Sequence, residues 1–237
     1  MGNDFSMKIT EIFFSYQGEG IYLGMPQVFI RFAGCNLRCR YCDTVESQNA
    51  DEGMKLTTDE VIDEIYSVLK TSTPSKKVKY VSLTGGEPLL QTNFLLDLIP
   101  KLKRNRLKIY LETNGTLPDK LKKVIDLVDI VAMDIKLPSD CKRNFWQGHR
   151  QFLKISSEKK VFIKLVLTKN TENKEVYKSI NLIKSIDRNI PLVLQPVTAN
   201  VNSRAKPENI FRWFSYAQQN LKSVFLTPQM QKYWQIR

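Results

Sequence analysis

Cysteines in a tight spacing are the first residues of this chain that could do chemistry. Cys35, Cys39 and Cys42 form a C-x3-C-x2-C pattern directly after an apolar run. Structural zinc sites take four Cys or His ligands, and here the fourth would have to be Cys141 or His149, far along the chain. Iron–sulfur clusters are held by thiolates, and three thiolates around a four-iron cluster leave one iron open for a reactant. The spacing therefore favours a cluster over zinc.

Polar residues before and within this apolar run could bind a ligand. Residues 17–20 read Gln-Gly-Glu-Gly, and a loop of this kind is either a simple turn or a ligand contact. Arg31 lies inside the apolar run at residues 28–33, and an unpaired buried charge is very costly. Its partner is either an acid such as Glu19 or a substrate carboxylate, whose geometry matches the guanidinium.

The composition is that of a globular protein with a basic surface. The 237 residues are 42% hydrophobic and 25% charged, and 36 Lys and Arg against 24 Asp and Glu give a net charge of +12. Nucleic acid and small anions both match this sign, but the basic residues are scattered, which favours a solvated surface. The chain has a polar start at residues 1–4, no apolar run long enough for a membrane span, and clustered cysteines without an export signal. These features predict a cytoplasmic protein.

Apolar runs alternate with helical patterns along the chain. Strands are predicted at residues 7–14, 28–33, 78–83, 107–111, 129–133, 161–167, 191–194 and 224–226. Helices are predicted after a capping box formed by Thr57 and Glu60, and at residues 94–102, 120–127, 174–186 and from Pro207 onward, with residues 145–152 helical or irregular. Nearly continuous apolar strands separated by helices are typical of a parallel sheet covered by helices. We expect one α/β domain, residues 1–237, that includes an N-terminal arm at residues 1–26.

Polar groups repeatedly follow the carboxyl ends of the predicted strands. Besides the cysteine loop, they are Gly85-Gly86-Glu87-Pro88, Glu112-Thr113-Asn114, Asp134-Ile135-Lys136 and Gln195-Pro196. This placement matches the active-site face of β/α barrels. About six parallel strands are too few for a closed eight-stranded barrel. The sequence therefore predicts a partial, open β/α barrel.

These motifs resemble those of the radical S-adenosylmethionine (SAM) superfamily. The cysteines, the aromatic Tyr41 before the last of them, and the Gly-Gly-Glu-Pro loop at residues 85–88 carry the resemblance. Further matches narrow it to the 7-carboxy-7-deazaguanine synthases, lyases of queuosine biosynthesis. They run from residues 14–20 to Pro228-Gln229 and cover essentially the whole chain. The Gln-Gly-Glu-Gly arm separates this family from the rest of the superfamily.

The resemblance implies cofactors and a reaction. The three cysteines would hold a [4Fe-4S] cluster whose open iron is chelated by SAM, and reductive cleavage of SAM would yield a radical that takes hydrogen from the substrate. The expected reaction converts 6-carboxy-5,6,7,8-tetrahydropterin to 7-carboxy-7-deazaguanine by radical ring contraction and loss of ammonia. Thr44 would ligate a Mg2+ ion that also holds the substrate carboxylate, since Mg2+ prefers hard oxygen ligands.

The same resemblance implies roles for individual residues. The cofactor side would be lined by Tyr41, Gly85, Gly86, Glu87, Glu112, Asn114, Lys136 and Gln195. The pterin and its carboxylate would be held by Tyr16, Gln17, Gly18, Arg31 and Thr84. A reducing protein such as flavodoxin or ferredoxin and a homodimer are also implied, with no membrane or nucleic-acid partner. Gln231-Lys232 departs from the His-Lys pair common in the family, which removes the basis for predicting a substrate contact from the C-terminal tail.

Two other functions are weighed against this one. A glycyl-radical activase shares the cysteine spacing and the short barrel but acts on a protein, whereas Arg31 and the loop at residues 17–20 favour a small carboxylated ligand. A zinc-stabilised module that binds RNA through its basic surface has no need of the Gly-Gly-Glu-Pro loop. Cys141 and His149 have no assigned role, and a buried thiol and a surface or capping histidine are expected.

Overall fold

The computed structural model describes residues 6–71, 78–198 and 204–236; the polar start and the first residues of the N-terminal arm lie outside these ranges. The strands are β1 Ser6–Tyr16, β2 Pro26–Phe32, β3 Met54–Thr57, β4 Tyr80–Gly85, β5 Lys108–Thr113, β6 Ile130–Asp134, β7 Lys160–Leu167, β8 Leu192–Pro196 and β9 Val224–Leu226. All of them lie in one open sheet with the order β3-β1-β2-β4-β5-β6-β7-β8-β9.

The strands from β2 and β4 through β9 form the parallel part of this sheet. Each pairs with its neighbour in parallel register, so that Arg31 lies opposite Thr84 and Asp134 lies opposite Lys164. Most of their central residues are buried, as expected for strands that are covered on both faces. The predicted partial, open β/α barrel is confirmed.

The N-terminal strands are antiparallel, which the sequence did not predict. β1 pairs with β2 on one side and with β3 on the other. β3 has only four residues, two of them exposed, so it carries no apolar signal. The register of β1 shifts between Ile9, which lies opposite Phe32, and Glu11, which lies opposite Arg31. Such an irregularity re-aims a side chain, and here it places Glu11 beside Arg31.

Helices connect the parallel strands. They are α1 Thr58–Thr71, α2 Thr92–Arg104, α3 Pro118–Val124, α4 Pro138–Cys141, α5 Trp146–Ser156, α6 Asn173–Ile186, α7 Pro207–Asn220 and α8 Met230–Trp234. The predicted capping box at α1 is confirmed: Glu60 Oε2 accepts the backbone N–H of Thr57 at 2.7 Å, and Thr57 Oγ1 accepts that of Glu60 at 3.3 Å. The predictions missed α4 and α8, which are too short for a helical period. Within the described ranges, no helix is both long and apolar enough to cross a membrane.

Two apolar clusters support the strand ends. The larger one includes Leu98 of α2, Phe152 of α5 and Trp213 of α7, packed with the buried strand residues. The smaller one contains Tyr110 and Phe162, together with Ile130, Ala132 and Val193. Its residues share a strand face with the polar residues two positions further along, such as Glu112 and Lys164. This cluster is therefore the apolar floor beneath those polar residues.

Truncation of the floor should destabilise the fold. Phe162 is fully buried, with its ring centroid 5.9 Å from that of Tyr22 and 6.3 Å from that of Tyr110. Phe162→Ala should lower the free energy of unfolding by about 3–5 kcal/mol because it leaves a cavity. Phe225→Ala, at a side chain that is 42% exposed, should cost about 1 kcal/mol or less. If urea unfolding gave the same loss of unfolding free energy for both variants, Phe162 would not support the strand ends as described.

Candidate active site

The carboxyl ends of the parallel strands enclose a cavity of about 350 Å3. Apart from Glu87, every residue that the sequence assigned to a cofactor or substrate site lines it: Tyr16, Gln17, Gly18, Arg31, Cys35, Cys39, Tyr41, Cys42, Thr44, Thr84, Gly85, Gly86, Glu112, Asn114, Lys136 and Gln195. The structure thus brings residues from nearly the whole chain to one site. Its volume is in the range of small-molecule pockets.

The cysteine loop, residues 34–42, presents three thiols to the cavity. Cys35, Cys39 and Cys42 are half-buried and free of disulfides. Burial raises the pKa of Cys35, and it raises that of Cys39 to about 11. These two thiols therefore keep their protons until a metal displaces them. Three thiols on one loop are the donor set of an iron–sulfur cluster, and the residues present fit that group.

Neither Cys141 nor His149 lines the cavity. The Cys141 thiol is buried, as predicted, and donates to the backbone oxygen of Arg143 at 3.2 Å. The expectation of a surface or capping histidine is wrong, because His149 is fully buried and burial lowers its pKa to about 4. Its Nε2 lies 3.3 Å from the carbonyl oxygen of Asn114 and 3.5 Å from the backbone nitrogen of Lys136. In the described part of the chain, no three His, Cys, Asp or Glu side chains are placed to hold a single metal ion.

Glycines allow the loop after β4 to pack directly on the cysteine loop. The backbone N–H of Gly86 donates to the carbonyl oxygen of Phe32 at 2.9 Å, and that of Glu87 donates to the carbonyl oxygen of Gly34 at 2.9 Å. Gly85 has a φ of +114°, in the region that favours glycine. A Cβ on Gly86 would overlap the carbonyl group of Gly34. This backbone contact therefore requires glycine.

The side chain of Glu87 lies behind the cavity wall, contrary to the expectation that it contacts a ligand. It is fully buried, and its carboxylate accepts the backbone N–H groups of Leu89 at 3.1 Å and Asn114 at 2.8 Å, and the hydroxyl of Thr113 at 2.9 Å. Burial outweighs these donors and raises the pKa of Glu87 to about 7. Asn114 in turn donates to the side-chain oxygen of Asn36 at 2.8 Å. Glu87 thus joins the end of β5 to the cysteine loop.

Arg31 has an acidic partner, but that partner is not Glu19. Arg31 Nε donates to Glu11 Oε1 at 2.5 Å, and the guanidinium lies 5.5 Å from the ring centroid of Phe13. Arg31 and Glu11 both line the cavity, and the side chain of Arg31 is only 15% exposed. The guanidinium is therefore held at the cavity wall, where it can bind an anionic group.

Glu112 gathers several of the predicted side chains around one carboxylate. Its Oε1 accepts from Gln17 Nε2 at 2.9 Å and from Ser82 Oγ at 3.1 Å, and its Oε2 accepts from Thr84 Oγ1 at 3.2 Å. Gln17 Oε1 also accepts the backbone N–H of Glu19 at 3.1 Å. The N-terminal arm is thereby tied to the ends of β4 and β5.

Alternating charges link the N-terminal arm to the cysteine loop. Lys164 Nζ lies 2.5 Å from Glu19 Oε2 and 3.7 Å from Asp134 Oδ1, and Lys136 Nζ donates to Asp134 Oδ2 at 2.9 Å. Lys136 Nζ also lies 5.2 Å from the ring centroid of Tyr41. These four charged side chains are 7–17% exposed. Each buried charge has an opposite partner, which is the condition under which burial is tolerated.

The C-terminal segment closes over the N-terminal arm. The side-chain amides of Gln229 and Gln231 donate to Glu19 Oε1 at 3.0 and 2.9 Å. The backbone N–H of Met230 donates to the carbonyl oxygen of Gly18 at 2.9 Å. Both glutamines line the cavity. The tail is therefore part of the site, although its Gln231-Lys232 pair gave no basis for predicting a contact.

Two buried side-chain amide oxygens in the cavity lining have no hydrogen-bond partner within the described residues. They are Oε1 of Gln195, whose side chain is 1% exposed, and Oε1 of Gln231. A buried acceptor without a donor costs free energy. Both oxygens are therefore available to N–H groups of a ligand.

Sequence reasoning missed several cavity residues. Lys164 carried a usable signal, because a lysine inside an apolar strand needs a buried partner as Arg31 does. Glu11 carried none, since its pairing depends on the register shift in β1. Gln229 belonged to the Pro228-Gln229 match but had no assigned role, and Gln231 carried no signal, because both meet Glu19 from the far end of the chain.

The ion pair of Glu19 with Lys164 should make the free energy of unfolding depend on pH. Burial alone would raise the pKa of Glu19, but Lys164 and the two glutamine amides hold it well below its usual value. The folded pKa is depressed, so the stabilisation is present above the unfolded pKa of about 4.3 and is lost as the pH falls below it. Glu19→Gln should cost about 3 kcal/mol at pH 7.

The cost of Glu19→Gln should shrink in acid, as measured by urea unfolding across the pH range. The exposed Glu158 provides a matched control, and Glu158→Gln should change little at any pH. A cost of Glu19→Gln that is independent of pH would refute the role of this ion pair.

Comparison with known proteins shows the family of this chain. The model of the Radical SAM superfamily matches residues 29–186. The 7-carboxy-7-deazaguanine synthase of Geobacter sulfurreducens is 37% identical over 95% of this chain and 96% of its own length. The protein of the same name from Thermococcus kodakarensis is 31% identical over 95% of this chain and 97% of its own length.

Solved structures share the fold. QueE from Escherichia coli superposes with a TM-score of 0.65 at 20% identity, covering 95% of this chain and 94% of that chain. TYW1 with a lysine-pyruvate adduct bound superposes with a TM-score of 0.61 at 18% identity, covering 82% and 74%. The superfamily match and the nearly full-length relatives show that this chain belongs to the radical SAM superfamily and, within it, to the 7-carboxy-7-deazaguanine synthases.

Proposed function

We propose that this chain is a radical SAM lyase of 7-deazapurine biosynthesis that converts 6-carboxy-5,6,7,8-tetrahydropterin to 7-carboxy-7-deazaguanine with loss of ammonia. The observation that carries the proposal is that the three thiols of the cysteine loop and the guanidinium of Arg31 line the same cavity. A small carboxylated molecule can therefore reach both. The nearly full-length relatives support the same reaction.

The cofactor side of the cavity is built around the cysteine loop. Cys35, Cys39 and Cys42 would hold the [4Fe-4S] cluster, and SAM bound beside it would supply the radical that takes hydrogen from the substrate. Gly85 and Gly86 expose bare backbone beside this loop, where a ligand can approach closely. The other residues that we assign to this side are Tyr41, Glu112, Asn114, Lys136 and Gln195. The unpaired Oε1 of Gln195 would accept a hydrogen bond there.

The substrate side is formed by the N-terminal arm and β2. Arg31 would bind the pterin carboxylate, and its ion pair with Glu11 holds the guanidinium in place. The remaining residues that we assign to the substrate are Tyr16, Gln17, Gly18 and Thr84.

A Mg2+ ion would sit beside the cysteine loop. The Thr44 hydroxyl lies 3.9 Å from Cys42 Sγ, and Thr44 and the preceding residue Asp43 both line the cavity. Mg2+ prefers oxygen ligands of this kind. The ion would add a second positive charge for the substrate carboxylate, next to that of Arg31.

Further assignments belong to the same proposal. An external protein such as flavodoxin or ferredoxin would supply the electron, and the free thiols suit a reducing compartment such as the cytoplasm. The assembly would be a homodimer, as in the family that the chain resembles.

The two rival functions find less support. A protein substrate, as for a glycyl-radical activase, needs open access, whereas Gln229 and Gln231 bond across Glu19 at the cavity. A zinc module needs a fourth ligand, and neither Cys141 nor His149 lines the cavity that the other thiols share.

The direct test is turnover. Anaerobic reconstitution with iron and sulfide, followed by SAM, dithionite and 6-carboxytetrahydropterin, should yield 7-carboxy-7-deazaguanine by mass spectrometry. Formation of 5′-deoxyadenosine without this product would assign the chain to another radical SAM reaction.

Loss of one cluster thiol should abolish both cofactor binding and turnover. Cys39→Ala should lower bound iron to background and remove the cluster absorbance, because a cluster held by two thiolates lacks its third protein ligand. Cys141→Ala, at a buried thiol outside the cavity, should keep both. Retained iron and activity in Cys39→Ala would disprove the cluster assignment.

Loss of the Thr44 hydroxyl should uncouple activity from Mg2+. Thr44→Ala should keep the cluster absorbance but lose the stimulation of turnover by Mg2+, because the ion loses a protein ligand. Thr44→Ser, which keeps the hydroxyl, should retain the stimulation. If Thr44→Ala responds to Mg2+ like the unaltered enzyme, Thr44 is not a ligand.

A further inference from the structure

His149 is a buried imidazole to which the proposed reaction gives no role. It lies on α5, is fully buried, and packs against the rings of Phe145 and Trp146 at centroid distances of 6.1 and 6.3 Å. Its Nδ1 has no hydrogen-bond partner among the described residues. An aliphatic side chain would fill this space without the cost of burying an unpaired polar atom. The benefit of histidine here must therefore come from the other ring nitrogen, Nε2.

Nε2 of His149 lies between the chain segments that follow two neighbouring strands. The pairing of β5 with β6 ends at Thr113 and Met133. Past this pair, Nε2 lies 3.3 Å from the carbonyl oxygen of Asn114 and 3.5 Å from the backbone nitrogen of Lys136. Buried backbone groups need hydrogen-bond partners when a sheet no longer supplies them. The imidazole thus bridges the two segments where the strand pairing stops.

The protonation state of His149 decides which of these contacts is the stronger. Burial lowers its pKa to about 4, so the ring is neutral at pH 7. A neutral imidazole has one N–H and one bare nitrogen. Nε2 therefore either donates to the carbonyl oxygen of Asn114 or accepts the backbone N–H of Lys136. The contact with Asn114 is the shorter one, which favours the proton on Nε2 and makes Asn114 the main partner.

Asn114 is held through both of its backbone polar groups. Its N–H donates to Glu87 Oε2 at 2.8 Å, and its carbonyl oxygen faces His149. The next residue, Gly115, turns the chain at a φ of +67°, which favours glycine. From this fixed backbone, Asn114 Nδ2 donates to Asn36 Oδ1 of the cysteine loop at 2.8 Å. Loss of the imidazole should therefore loosen a residue that contacts the loop proposed to hold the cluster.

The second backbone partner of His149 carries a charge into the cavity. Lys136 Nζ donates to Asp134 Oδ2 at 2.9 Å and lies 5.2 Å from the ring centroid of Tyr41. The Lys136 side chain lines the cavity and is 12% exposed. A shift of its backbone would therefore move a positive charge relative to the cysteine loop.

We propose that His149 is a positioning residue for SAM. Its Nε2 holds the backbone of Asn114 beside that of Lys136, and this fixes the two side chains assigned to the cofactor side. The inference rests on the proposed function, from which that assignment comes. His149 does not line the cavity, so it acts through these two residues and touches no ligand.

The first test uses the cluster-loaded enzyme without SAM. His149→Gln carries an amide near the position of Nε2, the shorter His149→Asn carries one near Nδ1, and His149→Leu carries none. Hydrogen exchange of peptides spanning residues 113–117 and 134–138 should be about three- to tenfold faster in His149→Leu and His149→Asn, because one hydrogen bond is lost. His149→Gln should restore near-normal exchange. Unchanged exchange in His149→Asn would overturn the proposal.

The second test measures SAM affinity by calorimetry. His149→Leu and His149→Asn should raise the Kd of SAM by about tenfold, as loss of a residue that orients a ligand-binding group does. His149→Gln should raise it by less than about threefold. Should His149→Leu fail to fold, the two amide variants carry the comparison, since both keep a polar side chain.

A matched control separates positioning from packing. Phe152 is fully buried on the same helix and lies outside the cavity. Phe152→Leu should lower the melting temperature because it leaves a small cavity, but it should not change the Kd of SAM. An equal rise of that Kd in Phe152→Leu and His149→Leu would mean that packing of α5 alone accounts for the effect, and the proposal would be wrong.

Failure of this proposal is distinguishable from failure of the proposed function. If 5′-deoxyadenosine forms without 7-carboxy-7-deazaguanine, the function is wrong, and the Kd of SAM still decides the role of His149. If the product forms and the Kd is the same in His149→Asn and the unaltered enzyme, the function stands and His149 positions nothing.

Discussion

The backbone contact between the Gly85–Gly86 turn and the cysteine loop is the constraint on which the site depends. The backbone N–H of Glu87 bonds to Gly34 of the loop, that of Gly86 bonds to Phe32 at the end of β2, and a side chain at Gly86 would overlap Gly34. This contact sets the three thiols against the ends of β2 and β4. The buried carboxylate of Glu87 extends the same support to Asn114 at the end of β5. The groups proposed for cluster and SAM therefore share one backbone support, and small shifts of either loop would move both.

The buried charges orient side chains more than they stabilise the fold. Paired buried ions often add little stability, because desolvation offsets their attraction. The chain of Glu19, Lys164, Asp134 and Lys136 is better explained by what it orients than by what it stabilises. It begins at the N-terminal arm and ends against the ring of Tyr41, beside the cluster thiols. Substrate and cofactor sides are thus electrostatically connected.

The two sides of the cysteine loop have different surroundings. The inner side faces a cavity whose wall includes both the N-terminal arm and the C-terminal segment, which meet at Glu19. The proposed small ligands would bind there. The outer side exposes Arg38 and Arg40.

Much of this protein could be predicted from its sequence. The cysteine spacing, the strand-end glycines and the apolar strands are local signals, so the open barrel and nearly all of the cavity-lining residues that the sequence proposed come together as expected. The tertiary structure alone decided which charges pair. Glu11 rather than Glu19 meets Arg31 because the register of β1 shifts, and Glu19 instead meets Lys164 and the C-terminal glutamines. Glu87 turned inward and His149 became buried for the same reason: partners far apart in sequence are set by packing and register, which no local pattern encodes.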